Sequence, residues 1–439
     1  MPPGISVSKM YQGKFDKIYS GMNHDRSNNR PGAGLFLPII IIFLYLQIEL
    51  WIPYGPYLVS GVLAALLRPA TKSEYLAVAA LVLLGTLSVS LSDLPGATSQ
   101  EVIGRIRSLG IYFLSILAGF GTYLVTRERD VEKLHRFFKL LSLIIFSGAL
   151  LENLGLVRDL SNSFRSYVFA SEILYVNDLR DVQQYGFIRP KLFTSEPSHL
   201  AKFLGLFLYL ATLTAKSRSP LNMLTLIAIL SLFAVQSAAL LPGALMTIIH
   251  PFLFAKNNYP RLFRSMLMLL VVTVSAALII GPEAVSRLGL DGTALEPSAY
   301  LRLVRPMQVA YHVLQERPLF GSGLGAEASL HNFIIAALSA DNVPWFVRNQ
   351  SVGSFVFGNI HFALILQFGV LGTLLFIVLL SRLVGRLAGD HRTQFFLFFV
   401  LYGATVGSVN TPILWGPVFL VLATLRASEA SITTQPEAD

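Results

Sequence analysis

The chain has 439 residues, 54% of them hydrophobic and only 13% charged, about half the roughly 25% charge of a typical water-soluble domain. Lipid must be the solvent for much of its surface. Its 34 Lys plus Arg against 25 Asp plus Glu give a net charge of +9, but these recur in short clusters between apolar runs, the pattern that orients a membrane protein and not a nucleic-acid patch. The absence of cysteine excludes disulfides, thiolate metal sites and cysteine nucleophiles.

In chain order, residues 1–34 are polar and lack the apolar core of a cleavable signal, so they are expected to form a cytoplasmic segment, with the first apolar run acting as a signal-anchor. A membrane span needs about 20 mostly apolar residues, fewer where flanking side chains snorkel. On that basis spans are predicted near 35–51, 53–67, 74–92, 106–125, 137–156, 199–215, 221–237, 240–255, 265–281, 359–381, 394–409 and 411–425. The fold predicted is all-α: a polytopic membrane domain of about twelve helices over residues 35–425, with 426–439 as a cytoplasmic tail. With the N-terminus inside, the inner loops hold Arg68 and Lys72, then Arg127, Arg129 and Lys133, then Lys216 and Arg218, then Arg382, Arg386 and Arg392, as the positive-inside rule expects.

Two outer segments, 157–198 and 282–358, are too long to be simple turns, and loops of that length are usually functional. In the second, Leu301, Val304, Val309, Val313 and Leu314 fit one face of an amphipathic helix. Most basic residues that oppose the orientation rule lie in or beside these loops, among them Arg158, Arg165, Arg180, Arg189, Lys191, Lys202, Arg302, Arg305 and Arg317. Arg presents a planar fork of donors that matches phosphate, so anion binding is the functional reading of the cluster. The structural alternative pairs these residues with Glu172, Asp178, Asp181, Glu283 and Glu316.

The first loop re-enters the apolar region through Arg189-Pro-Lys-Leu-Phe-Thr-Ser-Glu-Pro-Ser-His-Leu-Ala201. Pro197 suits the first position of a helix and Ser195 an N-cap, and such an N-terminus offers free N–H groups to an anion. Lys202 adds charge within the first turns, and Arg189 and Lys191 could clamp an anionic head group; an ordinary capped helix start is the alternative. The second loop carries Arg317-Pro-Leu-Phe-Gly-Ser-Gly-Leu-Gly325, whose glycines permit close backbone approach to a ligand but do not spell a dinucleotide fingerprint. His331 and His361 are the neutral bases nearest the outer face, and each could equally be a hydrogen-bonded structural histidine.

At these residues the sequence resembles the O-antigen polymerase and O-antigen ligase (Wzy/WaaL-like) superfamily of membrane glycosyltransferases. The resemblance rests on the Arg-led segment ending in Glu-Pro-Ser-His-Leu-Ala, on Arg302 upstream of Pro318-Leu-Phe-Gly-Ser-Gly-Leu-Gly325, and on His361 ahead of Leu366-Gln-Phe-Gly369-Val-Leu-Gly372. It implies a GT-C-like fold and an inverting, metal-independent transfer of glycan from an undecaprenyl-pyrophosphate-linked donor to a lipid-linked repeat unit. The reaction would take place on the periplasmic face of a bacterial inner membrane, with no cofactor and with a chain-length regulator and a flippase as partners, while the charge pattern itself places both termini in the cytoplasm. By position, Arg189 matches the first family arginine, Arg302 or Arg305 the second, and His361 the family histidine. Phe362 departs from the residue that usually follows that histidine, which keeps His331 and Glu196 as alternative bases. A ligase using the same donor, and a flippase, are the competing functions.

Overall fold

The computed structural model describes residues 33–49, 52, 54–92, 98–169, 174–176, 178–215, 218–253, 304–326, 330–338 and 358–433. Among these there is no strand. The helices are α1 Ala33–Leu46, α2 Gly55–Leu67, α3 Lys72–Leu91, α4 Ser99–Arg127, α5 Val131–Asn153, α6 Arg158–Val168, α7 Asp178–Tyr185, α8 Pro197–Leu213, α9 Arg218–Val235 and α10 Leu241–Leu253. They continue with α11 Arg305–Glu316, α12 His331–Leu338, α13 Ile360–Leu387, α14 Arg392–Gly403 and α15 Pro412–Thr433. A helix lies at each predicted span except 265–281, which falls outside the described residues, as does Arg302. Among the described residues, five helices are long and apolar enough to cross a membrane: α3, α4, α5, α13 and the Pro412–Ala430 stretch of α15.

Local chemistry sets the helix starts. Thr71 and Glu74 form a reciprocal capping box at α3, Thr98 and Glu101 another at α4, and the Asp130 carboxylate accepts from the amides of Glu132 and Lys133 at α5. The outward faces are apolar: Leu76, Leu83 and Leu91 of α3, and Leu371, Leu374 and Val378 of α13, are all exposed. That inversion of the soluble pattern is what a lipid solvent selects.

Inside, α8 is the central pillar, and every one of its residues except His199 is buried. Small residues let backbones touch around it. A Cβ on Gly121 of α4 would fall inside contact distance of the Gly61 carbonyl of α2, and Gly205 of α8 meets Gly243 of α10 in the same way. Close approach of this kind supplies the packing that holds helices together where no hydrophobic drive exists between them. Trp415 of α15 fills the remaining core between Tyr112, Phe376 and Phe419, its indole N–H donating to the Val409 carbonyl at 2.7 Å.

The two ends of the bundle differ. One gathers the Arg68–Glu128 pair at 3.0 Å, Arg127 on Glu74 and the Pro69 carbonyl, Arg386 on the Ser73 carbonyl, and Arg426 on Glu429. These belong to the loops and the tail that the charge pattern predicts to be inner. At the other end Asn153 closes α5 onto the Ala234 carbonyl of α9 at 2.7 Å, and α6 and α7 follow.

Candidate functional site

The described residues of 154–196 gather around two buried ionic groups, Glu152 and Arg165. Glu152, in the last turn of α5, accepts the amides of Lys191 and Leu192 at 3.1 and 2.6 Å. Leu192 and Phe193 are both in the left-handed region (φ 36° and 67°), which costs roughly 1–2 kcal/mol per residue for a side chain bearing a Cβ. The Glu152 bonds, a donation from the Phe193 amide to Ser161 Oγ at 3.0 Å and one from the Tyr45 hydroxyl to the Leu192 carbonyl at 2.8 Å offset that cost.

Arg165 of α6 is the second anchor. It donates to the carbonyls of Thr194 (2.8 Å), Ser195 (2.9 Å) and Tyr175 (3.1 Å), and to Asn162 Oδ1 (2.9 Å). Burial pulls its guanidinium pKa down, with Glu152 and Asp178 working the other way.

Arg189 sits on this base. Its Nε donates to the fully buried carboxylate of Asp181 at 2.9 Å and its Nη2 to the Tyr175 hydroxyl at 2.9 Å. The guanidinium lies over the Tyr185 ring, 4.5 Å from its centroid, and 5.5 Å from that of Tyr175. Burial would lower its pKa, but Tyr185, Asp181 and Tyr175 together raise it, so the charge is permanent. Tyr175 is pushed up to about 12, first by burial and then by its bond to Asp181, while Arg189 draws it down. Lys191 pairs with Asp178 at 2.5 Å. For Arg189 and Lys191 the alternative of carboxylate pairing therefore holds. An incoming anion would meet cations already oriented, and would exchange with the half-exposed Asp178 more readily than with the buried Asp181.

The chain then enters α8. The N-cap is Glu196, with Pro197 behind it, and not the Ser195 that its residue type had favoured. The reason lies in the Ser195 hydroxyl, which is 2.9 Å from His199 Nδ1. His199 Nε2 is 3.2 Å from Glu196 Oε1, and the Ser198 hydroxyl donates to the same oxygen. Lys202 is buried one turn further on. His199 was missed in the sequence, although Ser195, Glu196 and His199 at i, i+1 and i+4 across a helix start meet on one face.

The other predicted residues lie elsewhere. Arg305 is buried at the head of α11, a helix whose inner face carries Val309 and Val313 as the periodicity predicts. His361 opens α13, its amide donating to the Asn359 side chain at 2.9 Å and its Nε2 2.9 Å from the Val400 carbonyl, with the ring against Phe399. Since a carbonyl only accepts, Nε2 carries the proton and Nδ1 is the basic atom of the neutral ring. His331 is exposed at the first residue of α12. Arg305, His331 and His361 thus belong to three other helices, α11, α12 and α13.

The glycine loop makes its close approach to the bundle itself. Gly321, Gly323 and Gly325 all have positive φ. The amides of Ser322 and Gly323 donate to the carbonyls of Leu366 and Gln367 at 2.8 and 3.0 Å, and those of Val370 and Leu371 to Pro318 and Leu319 at 2.9 and 3.1 Å. These four bonds satisfy the backbone where α13 breaks at Gly369 (φ 64°, ψ −169°). Ser88 Oγ adds a bond to the Gln367 carbonyl at 2.9 Å, and the buried Arg105 reaches Ser92 beside Gly323.

Between α1, α2 and α4 runs an open apolar groove of about 1020 Å³, lined by Leu35, Ile39, Phe43, Val59 and Leu63 among others. No group of three or more metal-ligating side chains occurs among the described residues. Comparison of the chain with protein-family models, with curated proteins and with solved structures finds no match.

Proposed function

We propose that this protein is a membrane polysaccharide polymerase that transfers glycan from an undecaprenyl-pyrophosphate-linked donor to a lipid-linked repeat unit. In this reading about twelve helices span a bacterial inner membrane in a GT-C-like arrangement, both termini are cytoplasmic, and the 154–196 end faces the periplasm. The observation that carries the reading is the built cationic seat at the head of α8, where Arg189 is held by Asp181 and two tyrosine rings beside a helix N-terminus and a carboxylate. The order of the sequence motifs and the apolar groove, suited to an isoprenoid chain, add support.

The chemistry follows from the groups present. Fixed positive charge at Arg189, with Lys191 and the arginines of the second loop (Arg302 or Arg305), stabilises the departing diphosphate as the anomeric C–O bond breaks. The acceptor hydroxyl loses its proton to a nearby base, Glu196 or one of His361 and His331, and attack opposite the leaving group inverts the anomeric centre.

The test is a reconstituted assay with purified protein and undecaprenyl-pyrophosphate-linked repeat unit alone. A ladder of longer lipid-linked glycans is expected, lost in R189A, R302A and R305A while insertion is intact. Normal ladders from all three variants would refute the clamp. The broken helix α13 favours a second reading, since discontinuous spans are a transporter feature. Translocation of the lipid-linked substrate across liposomes without transfer would establish it, and transfer only to a lipid A core acceptor would identify a ligase.

A further inference from the structure

The hydrogen-bond chain at the start of α8 carries an assignment beyond the arginine seat. It runs from the buried Ser195 hydroxyl through His199 to Glu196, whose side chain is 37% exposed against 16% for His199. A carboxylate only accepts, so the proton of the neutral imidazole sits on Nε2, facing Glu196 Oε1, and Nδ1 accepts from Ser195. Both ring nitrogens are thereby occupied. The ring orients its neighbour and does not itself meet substrate.

The common alternative is a local cap, in which a carboxylate at a helix start satisfies the free N–H groups. Glu196 occupies the N-cap and makes no such bond. Its Oε1 is turned instead to His199 and to the Ser198 hydroxyl. The buried end of the chain is rigid, because Arg165 grips the carbonyls of Thr194 and Ser195. The same Ser195 carbonyl accepts the Tyr175 amide at 3.2 Å, and the Tyr175 hydroxyl in turn holds Arg189. The carboxylate and the guanidinium are thus parts of one framework. Among the described residues neither His361 nor His331 has such a link.

We infer that Glu196 is the proton acceptor of the site and that His199, with its tautomer set by the Glu196 carboxylate and its ring held by the Ser195 hydroxyl, is a positioning residue for it. The assignment rests on the glycosyl-transfer reading. In the step, the acceptor oxygen bonds to the anomeric carbon as the carbon–oxygen bond to pyrophosphate breaks, and the bonding pair leaves with the diphosphate. The acceptor proton passes to Glu196, which later returns it to water. His199 Nε2–H and Ser198 O–H hold the carboxylate toward the acceptor and away from the helix amides.

The experiment compares H199Q, H199N and E196Q in the full-length protein in lipid nanodiscs, with the lipid-linked repeat unit as substrate. Gln places an amide N–H where Nε2 lay and should retain turnover within about 5-fold, whereas Asn cannot reach and should lose about 10–100-fold in kcat at unchanged KM. E196Q should lose about 100-fold or more. Equal loss in H199Q and H199N, or activity in E196Q near that of the parent, would overturn the assignment. The ring is read independently by ¹⁵N-histidine NMR, as the difference between the parent protein and H199Q. The Nε2–H tautomer is expected, and an Nδ1–H tautomer overturns the hydrogen-bond chain. If the parent protein forms no longer glycan under any acceptor, the transfer reading fails, and the NMR result alone decides whether the carboxylate is held as described.

Discussion

Replacing Arg165 with Met should release the 189–196 segment without disturbing the bundle. The guanidinium makes four hydrogen bonds between 2.8 and 3.1 Å, three of them to backbone carbonyls of Tyr175, Thr194 and Ser195. Bonds to a charged group are worth about 1.5–3 kcal/mol each, but they are not additive, and burial of the charge opposes them. Removing one partner of such a buried group costs about 3–5 kcal/mol. If that loss appears as local opening, amide exchange at Leu192–Ser195 should accelerate by about 10²–10⁴-fold. Hydrogen–deuterium exchange on nanodisc-embedded protein reads this directly, with α4 and α8 as protected references. R165K should recover little, because a single ammonium cannot span carbonyls that the planar fork reaches together. Acceleration below about threefold in R165M would show that Glu152 and the tyrosines hold the segment unaided, and the framework argument for Arg189 and Glu196 would fall.

Three further outcomes are expected. G369A should lower stability by about 3 kcal/mol or more, since a Cβ there would lie 2.5 Å from the Leu319 carbonyl in a backbone region open only to glycine, whereas G110A, with open space around it, should be neutral or gain up to about 1 kcal/mol; thermal unfolding in detergent separates them. Tyr175 has its pKa raised to about 12, so the neutral hydroxyl supports the loop fully below the unfolded value near 10 and that support is lost as pH rises from about 10 to about 12. The tyrosinate absorbance difference between the parent protein and Y175F should therefore appear near pH 12, and its appearance at pH 10 would contradict the packing. Because the chain has no cysteine, single substitutions K72C and L156C report topology cleanly, and impermeant thiol reagents should label them from opposite sides of the membrane.

The apolar runs were legible because length and hydropathy leave few alternatives, and the helix start at Pro197 was legible from the residue type alone. The 305–316 helix showed itself through Val309 and Val313. What sequence could not supply was partnership across distance. Ser88 finds its acceptor 279 residues away at Gln367, and Gly369 reads as an ordinary glycine in an apolar span until the 318–323 loop is laid against it. The arginine surplus singled out the 157–198 segment, yet whether each cation faces solvent or a carboxylate depends on how its described residues fold. That fold is set by Glu152 and Arg165, residues with no motif to mark them. The motif glycines make their close backbone approach to the bundle: Gly321 meets Gly369 at the break in α13, Gly323 meets Ser88 and Ser92 at the end of α3, and Gly325 meets Gly104 and Arg105 of α4.

That break also has a consequence for biogenesis. The carbonyls of Pro318 and Leu319 and the amides of Ser322 and Gly323 have their partners on a helix that begins at Ile360 and reaches them only at 366–371. Until those residues have left the ribosome and the translocon, the loop cannot settle among α3, α4 and α13 without placing bare peptide groups in hydrocarbon. The 318–323 loop must wait in water while some fifty further residues are made. The last third of the chain therefore acts as the lock on the first: a nascent protein truncated before Gly369 would carry its early spans but leave the Gln367 acceptor for Ser88 unfixed, and quality-control proteases would find the glycine segment exposed.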